Sequence, residues 1–239
     1  MIVLKRESEP GFEICNKDLY AGRWIKAVLF DMDGVILDTE KLYVRFWREA
    51  AAFYGYDMTE EMALGMRSLN PELGEKRIKE YFGMFTDYQE IRNKRMQLMQ
   101  VYISQHGVEP KPGIYELIKF LEKKKMQIAV ATSSPIDRAR FLLEMVDLLD
   151  KFEGIASAHS VKHGKPEPDV FLYAAKKMGV KPSECLVLED SPTGLLAAYR
   201  AGCIPVMVPD LDLPDDEVKS RIFAVADDLM TVIQMSKYK

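Results

Sequence analysis

Cysteine is scarce in this sequence, with three among 239 residues. Cys15, Cys185 and Cys203 are odd in number and unclustered, and two of them fall in apolar runs. That excludes a disulfide framework or a cysteine-based metal site and reads as reduced core residues. Also lacking is an extended basic patch or stripe: 33 basic and 37 acidic residues are mixed along the chain for a formal net charge of −4, and the short run Lys123-Lys124-Lys125 after Glu122 reads as a solvated helix end. A nucleic-acid or membrane-surface partner is therefore not expected. No apolar run reaches the roughly 20 residues that span a bilayer. The first 24 residues lack the apolar centre of a secretory signal, so a cytoplasmic, monomeric protein is expected. Repeats and low-complexity tracts are absent as well. What remains is a chain that is 48% apolar, enough for a substantial core.

That core begins at Ala27-Val28-Leu29-Phe30, a run with no polar face, as in a strand buried on both sides of a parallel sheet. Residues 1–24 form an N-terminal extension without a readable motif; Glu9-Pro10-Gly11 suggests a turn, and Phe12 to Tyr20 an edge strand or arm. After the strand, four helical patterns follow with no strand between them. The first is capped near Asp38-Thr39-Glu40 and has apolar positions at Leu42, Tyr43, Phe46, Trp47, Ala50, Phe53 and Tyr54. The others run about Thr59–Arg67, Pro71–Phe82 and Asp87–His106. An all-helical insertion over residues 39–109 exceeds what one crossover needs, so it predicts a separate domain. From Pro110 helix and strand alternate: helices Ile114–Lys124, Pro135–Leu149, Asp169–Met178, Thr193–Ala201 and near Asp227–Met235, with strands Gln127–Ala131, Gly154–Ser157, Cys185–Leu188, Ile204–Val208 and Phe223–Val225. Residues 25–38 and 110–239 thus predict a Rossmann-like, doubly wound α/β core carrying an inserted helical cap.

In such sheets ligands bind beyond the carboxyl ends of the strands, and four of those ends carry chemistry. Asp31 and Asp33 follow the first strand; residues i and i+2 share a face, about 6 to 7 Å apart. Two carboxylates that close need a cation between them or a shared proton, although Asp and Gly are also ordinary turn residues. Thr132-Ser133-Ser134-Pro135 offers hydroxyls and backbone N–H groups for phosphate oxygens, or simply a helix start. Lys165, in Gly164-Lys165-Pro166-Glu167-Pro168-Asp169, sits on a stretch stiffened by two prolines, and the bland alternative is an exposed loop lysine. Glu189-Asp190 ends a buried strand and suits a hard, oxygen-preferring cation, or an acidic helix cap.

Taken together and in order, Asp31-Met32-Asp33-Gly34-Val35, the Thr132 stretch, Lys165-Pro166-Glu167-Pro168-Asp169 and Glu189-Asp190-Ser191 resemble the four motifs of the haloacid dehalogenase-like hydrolases, specifically the group of β-phosphoglucomutase and small-sugar phosphatases. The resemblance runs from about Ile25 to near the C-terminus. It implies a Mg²⁺-dependent phosphatase acting on a small phosphorylated metabolite through an aspartyl-phosphate. Asp31 would be the nucleophile and Asp33 the general acid/base. Lys165 would neutralise charge, and Thr132 or Ser133 would hold phosphate. Mg²⁺ would be bound by Asp31, the Asp33 carbonyl, Asp190 and Glu189, the last directly or through a neighbour. In the similar mutases a histidine follows the first motif on the cap; Tyr43 stands there, which favours a phosphatase over a hexose-phosphate mutase. A dehalogenase would lack the aspartate that Asp33 supplies. A non-catalytic phosphometabolite-binding protein is the reading of another class. Arg67, near a predicted turn between cap helices, is either a solvated helix end or a group that grips the substrate's distal part.

Overall fold

The computed structural model describes residues 12–13, 23–67, 69 and 71–235. Glu9-Pro10-Gly11, Cys15 and most of the Phe12–Tyr20 stretch lie outside the described residues. Strand β1 (Phe12–Glu13) pairs antiparallel with β2 (Trp24–Ile25). The chain divides into two compact units, one formed by the segments up to Ile36 and from Lys111 onward, the other by Leu37–Pro110.

The first unit is built on β3 (Ala27–Phe30), whose four residues are all buried. Among the described residues it holds a sheet of six strands, with β4 (Gln127–Thr132), β5 (Ile155–Ser157), β6 (Cys185–Glu189), β7 (Ile204–Met207) and β8 (Ala224–Val225) in spatial order β5-β4-β3-β6-β7-β8. Every pairing in it is parallel. The chain runs outward from β3 to β5, then returns to β6 on the other side and runs outward again. That reversal opens a crevice at the carboxyl ends of β3 and its neighbours. Alternation along the strands splits the core. Ala27 and Leu29 share one cluster with Ala129, Ala131, Cys185, Val187 and Cys203, covered by apolar residues of two helices, Asp169–Lys177 and Pro192–Arg200. Val28 and Phe30 point the other way, Phe30 meeting Phe152 edge to face at 5.6 Å.

The second unit is helical: α1 (Glu40–Phe53), α2 (Glu60–Leu64), α3 (Pro71–Phe82) and α4 (Tyr88–His106). Its core gathers Val44, Trp47, Ala50, Ala51, Met58, Ala63, Met66, Ile78, Tyr88 and Ile91, with Trp47 stacked on Tyr88 at 6.1 Å. Phe53 and Tyr54 depart from the expected apolar face of α1 and are exposed, because α1 ends at Phe53 and the buried stripe stops with Ala50 and Ala51; the Lys94 ammonium lies 3.9 Å over the Phe53 ring. Leu37 bridges Pro110 antiparallel, and Asp38 N–H donates to the Glu109 carbonyl at 2.8 Å, so the two ends of this unit lie side by side.

Back in the first unit, α5 (Ile114–Lys123) is followed by α6 (Ile136–Met145), α7 (Asp169–Lys177), α8 (Pro192–Arg200), α9 (Asp216–Arg221) and α10 (Leu229–Met235). Helix α6 stops four residues before the expected Leu149, because Asp147 takes a left-handed backbone (φ 55°) that no helix continues. Helix α9 has no counterpart in the apolar pattern.

Candidate active site

Asp31 is the first residue past β3, and its N–H donates to the Leu188 carbonyl of β6 at 2.9 Å, which extends the ladder by one step and fixes the backbone under the side chain. The turn that follows is closed by Ile36 N–H to Met32 O at 3.0 Å and passes through Gly34 at φ +86°, a backbone that favours glycine. Asp31 is 7% exposed, Glu189 1% and Asp190 3%. Carboxylate oxygens of these three lie within 4.8 Å of one another.

One ammonium faces them. Lys165 Nζ donates to Asp31 Oδ1 at 2.5 Å, to Glu189 Oε1 at 2.6 Å and to the Ala131 carbonyl at 3.1 Å, which engages all three of its N–H groups. Its segment is braced by the Glu167 N–H to Gly164 O turn at 3.0 Å and by Arg200, which donates to Pro166 O at 3.1 Å and pairs with Glu167 at 2.9 Å. Burial pushes the Asp31 carboxyl up from 3.8 to about 8; Glu189 and Asp33 add to this against the opposing Lys165. Burial works against the Lys165 charge too, but Asp31 and Glu189 outweigh it and hold that ammonium well above its ordinary range. Three buried carboxyl groups face one ammonium, so ionising Asp31 leaves an excess of negative charge that a bound cation would offset. The all-oxygen donor set and that excess fit a hard divalent cation.

Glu189 is held from its other side. Ser191 donates to Glu189 Oε2 through both N–H and Oγ, each at 2.9 Å, while Ser191 Oγ caps α8 by accepting from Gly194 N–H at 3.1 Å. Residue 194 has no room for a side chain while this carboxyl keeps its place: a Cβ there would fall 1.7 Å from Glu189 Oε1.

The second aspartate has partners that sequence reasoning did not single out. Asp33 Oδ2 accepts from Ser134 Oγ at 2.9 Å, and Arg138 donates to both Asp33 oxygens at 3.2–3.3 Å. Arg138 also donates to Ser134 Oγ at 2.6 Å. The available signal was the spacing Ser134–Arg138, i and i+4, just past a strand end. Thr132 is buried, and its Oγ1 accepts from Ser134 N–H at 3.0 Å, leaving the hydroxyl proton to donate elsewhere; Ser133 is exposed. Ser157 Oγ at the end of β5 donates to Ser134 O at 2.7 Å.

Arg67 lies in the helical unit. It is not a solvated helix end: its side chain is 4% exposed and its Nε donates to Glu40 Oε2 at 2.7 Å. Ser68 and Asn70, which flank the expected turn, lie outside the described residues. Also in this unit, the Arg95 guanidinium stands 4.8 Å from the Tyr43 ring and 5.1 Å from Trp47. Among the described residues no helix is long and apolar enough to cross a membrane.

Residues 25–202 match the family model described as haloacid dehalogenase-like hydrolase. The chain is 33% identical over 178 residues to a phosphorylated carbohydrates phosphatase of Thermotoga maritima, covering 74% of this chain and 82% of that protein. It is 31% identical over 190 residues to the β-phosphoglucomutase of Bacillus subtilis, covering 77% and 83%. The crystal structure of a hydrolase from Pseudomonas syringae superimposes with a TM-score of 0.74 at 28% identity, over 87% of this chain and 96% of that one.

Proposed function

The chain belongs to the haloacid dehalogenase-like hydrolases, and from that premise we propose that it is a Mg²⁺-dependent phosphatase of small phosphorylated carbohydrates or similar metabolites. The observation that carries this reading is the Lys165 ammonium shared between buried Asp31 and Glu189, beside Asp190. That arrangement holds a carboxylate at a strand end with its charge partly neutralised, as a nucleophile toward an anionic phosphate requires.

Asp31 attacks phosphorus, forming the Asp31 O–P bond as the bond from phosphorus to the leaving oxygen breaks. Asp33, which must carry a proton when the substrate binds, gives it to that oxygen and becomes a carboxylate, so the product leaves as a neutral alcohol. The resulting Asp33 carboxylate then takes a proton from water, whose oxygen displaces Asp31 and releases inorganic phosphate. Lys165 offsets the charge of Asp31 and Glu189 throughout, and Thr132 and Ser133 are assigned to the phosphate oxygens. Asp31, Asp190, Glu189 and the Asp33 carbonyl would hold Mg²⁺, which supplies further neutralisation of the phosphate oxygens when bound. Arg67, its guanidinium oriented by Glu40, is assigned to the rest of the substrate.

Identities of 33% to a phosphatase and 31% to a mutase do not separate the two chemistries. Tyr43 does favour one: where a mutase carries histidine, this chain has a ring turned to Arg95. The test follows β-glucose 1-phosphate with a trace of the bisphosphate by NMR, with p-nitrophenyl phosphate turnover measured alongside. We expect released phosphate from any accepted ester. Clean conversion to glucose 6-phosphate without free phosphate would establish the mutase. An Asp31→Asn variant should fold normally and fall to background on the aryl ester, since an amide forms no acyl-phosphate; wild-type turnover in it would overturn the mechanism.

A further inference from the structure

The Asp33 carboxylate projects from a short turn and is held by Arg138 and Ser134. Three guanidinium contacts of 3.2–3.3 Å reach both carboxylate oxygens, and the Ser134 hydroxyl adds a fourth bond at 2.9 Å. Neither partner is placed there by its own helix. Arg138 lies in the first turn of α6, where a cation opposes the helix dipole and is unfavourable by a few tenths of a kcal/mol or more. The position is compensated by the Asp33 carboxylate. Ser134 is itself anchored to β4 through Thr132 Oγ1 and to β5 through Ser157 Oγ. The Asp33 side chain is 13% exposed and that of Arg138 26%, so the pair is not a loose surface bridge of the kind worth little.

We propose that Arg138, with Ser134, is a positioning residue that aims the Asp33 carboxyl at the oxygen leaving phosphorus and at the water that follows. The proposal rests on the phosphatase reading above. Arg138 takes no proton in either step; it restrains the group that gives one to the leaving oxygen and recovers one from water. The consequence is specific. An ester with a poor leaving group needs that proton transfer in the phosphorylation step, whereas p-nitrophenolate departs without it.

The experiment measures kcat/KM for p-nitrophenyl phosphate, phenyl phosphate and glycerol 2-phosphate in the full-length, Mg²⁺-loaded wild type, Arg138→Met, Arg138→Lys and Ser134→Ala. Thermal melts check the folding of each. We expect Arg138→Met to lose at least about tenfold more on the glycerol ester than on the nitrophenyl ester, a part of the roughly 10²–10⁴ that general acid catalysis contributes. Arg138→Lys should recover part of the difference, and Ser134→Ala should move in the same direction by less. On phenyl phosphate, Arg138→Met should add no loss on an Asp33→Asn background, because the two act as one unit. Equal losses on all three esters, or full additivity with Asp33→Asn, would overturn the proposal. If Arg138→Met fails to fold, Arg138→Lys and Ser134→Ala decide by the same criterion. Failure of the phosphatase reading shows separately, as turnover that survives Asp31→Asn.

Discussion

At the scale of single residues, Lys165 is the one whose loss the buried carboxylates cannot absorb. Asp31 and Glu189 hydrogen-bond its ammonium, Asp190 is close by, and none of the three is more than 7% exposed. Lys165→Met should therefore lower stability by about 3–5 kcal/mol in chelator, the range for removing one member of a buried ion pair. Urea unfolding checks it; a change below about 1 kcal/mol would mean that water already reaches the cluster. The pH dependence has a definite sign. The Asp31 carboxyl is raised from 3.8 to about 8, so folding takes up a proton between those values. Its contribution to metal-free stability is full below pH 4 and is lost as pH rises through about 8. Asp31, Asp33, Lys165 and the Glu189-Asp190 pair were singled out by their resemblance to four ordered family motifs, since strand-end acids and a lysine ahead of two prolines are ordinary by themselves; of these the structure brings Asp31, Lys165, Glu189 and Asp190 together. Arg138 was not singled out, because what gives it meaning is a carboxylate 105 positions earlier in the chain, and its own surroundings read as an ordinary helix start.

At the scale of elements, α8 and β6 constrain each other through Gly194. Helix α8 starts beneath the Glu189 carboxyl, and a Cβ at residue 194 would lie 2.0 Å from the carboxyl carbon. That carboxyl cannot swing away freely, being bonded to Lys165 and twice to Ser191. Gly194→Ala should cost about 1–3 kcal/mol, as overpacking does, and should also depress turnover by displacing Glu189 from Lys165. A thermal melt with parallel kinetics tests this; a variant as stable and active as wild type would show that the helix start yields. The same level explains what the sequence revealed of the fold. The strands of the sheet read as unbroken apolar runs, and Thr59 and Asp87 marked helix starts where their side chains do accept backbone N–H bonds. Helix α9 was illegible because Asp216-Glu217-Val218-Lys219-Ser220-Arg221 has no apolar stripe; Asp215 caps it through Val218 N–H at 2.7 Å, and only Val218 packs toward the Leu195, Met207 and Ile222 cluster.

At the scale of the whole molecule, activity should depend on a divalent cation. The acidic excess at the ends of β3 and β6 motivates this, and the few, closely set carboxylates suit Mg²⁺ better than Ca²⁺, which takes more ligands at longer range. Excess chelator should abolish phosphate release, Mg²⁺ should restore it and Ca²⁺ should not. Full activity in chelator would remove the metal from the mechanism. A further consequence follows from the way the helical unit is tied off at its base. Leu37 faces Pro110, and Asp38 N–H reaches the Glu109 carbonyl, with Lys41 bridging Asp38 and Glu109 at 2.6 Å each. With its ends clasped in this way, the insertion is closed at its base much as a tight hairpin loop is, whatever its content. Closing a loop of twice the length costs only about 0.6 kcal/mol more. The stretch between Asp38 and Glu109 is thus a self-closed segment whose length can change at small entropic cost to the rest of the chain, because its two ends are already held together.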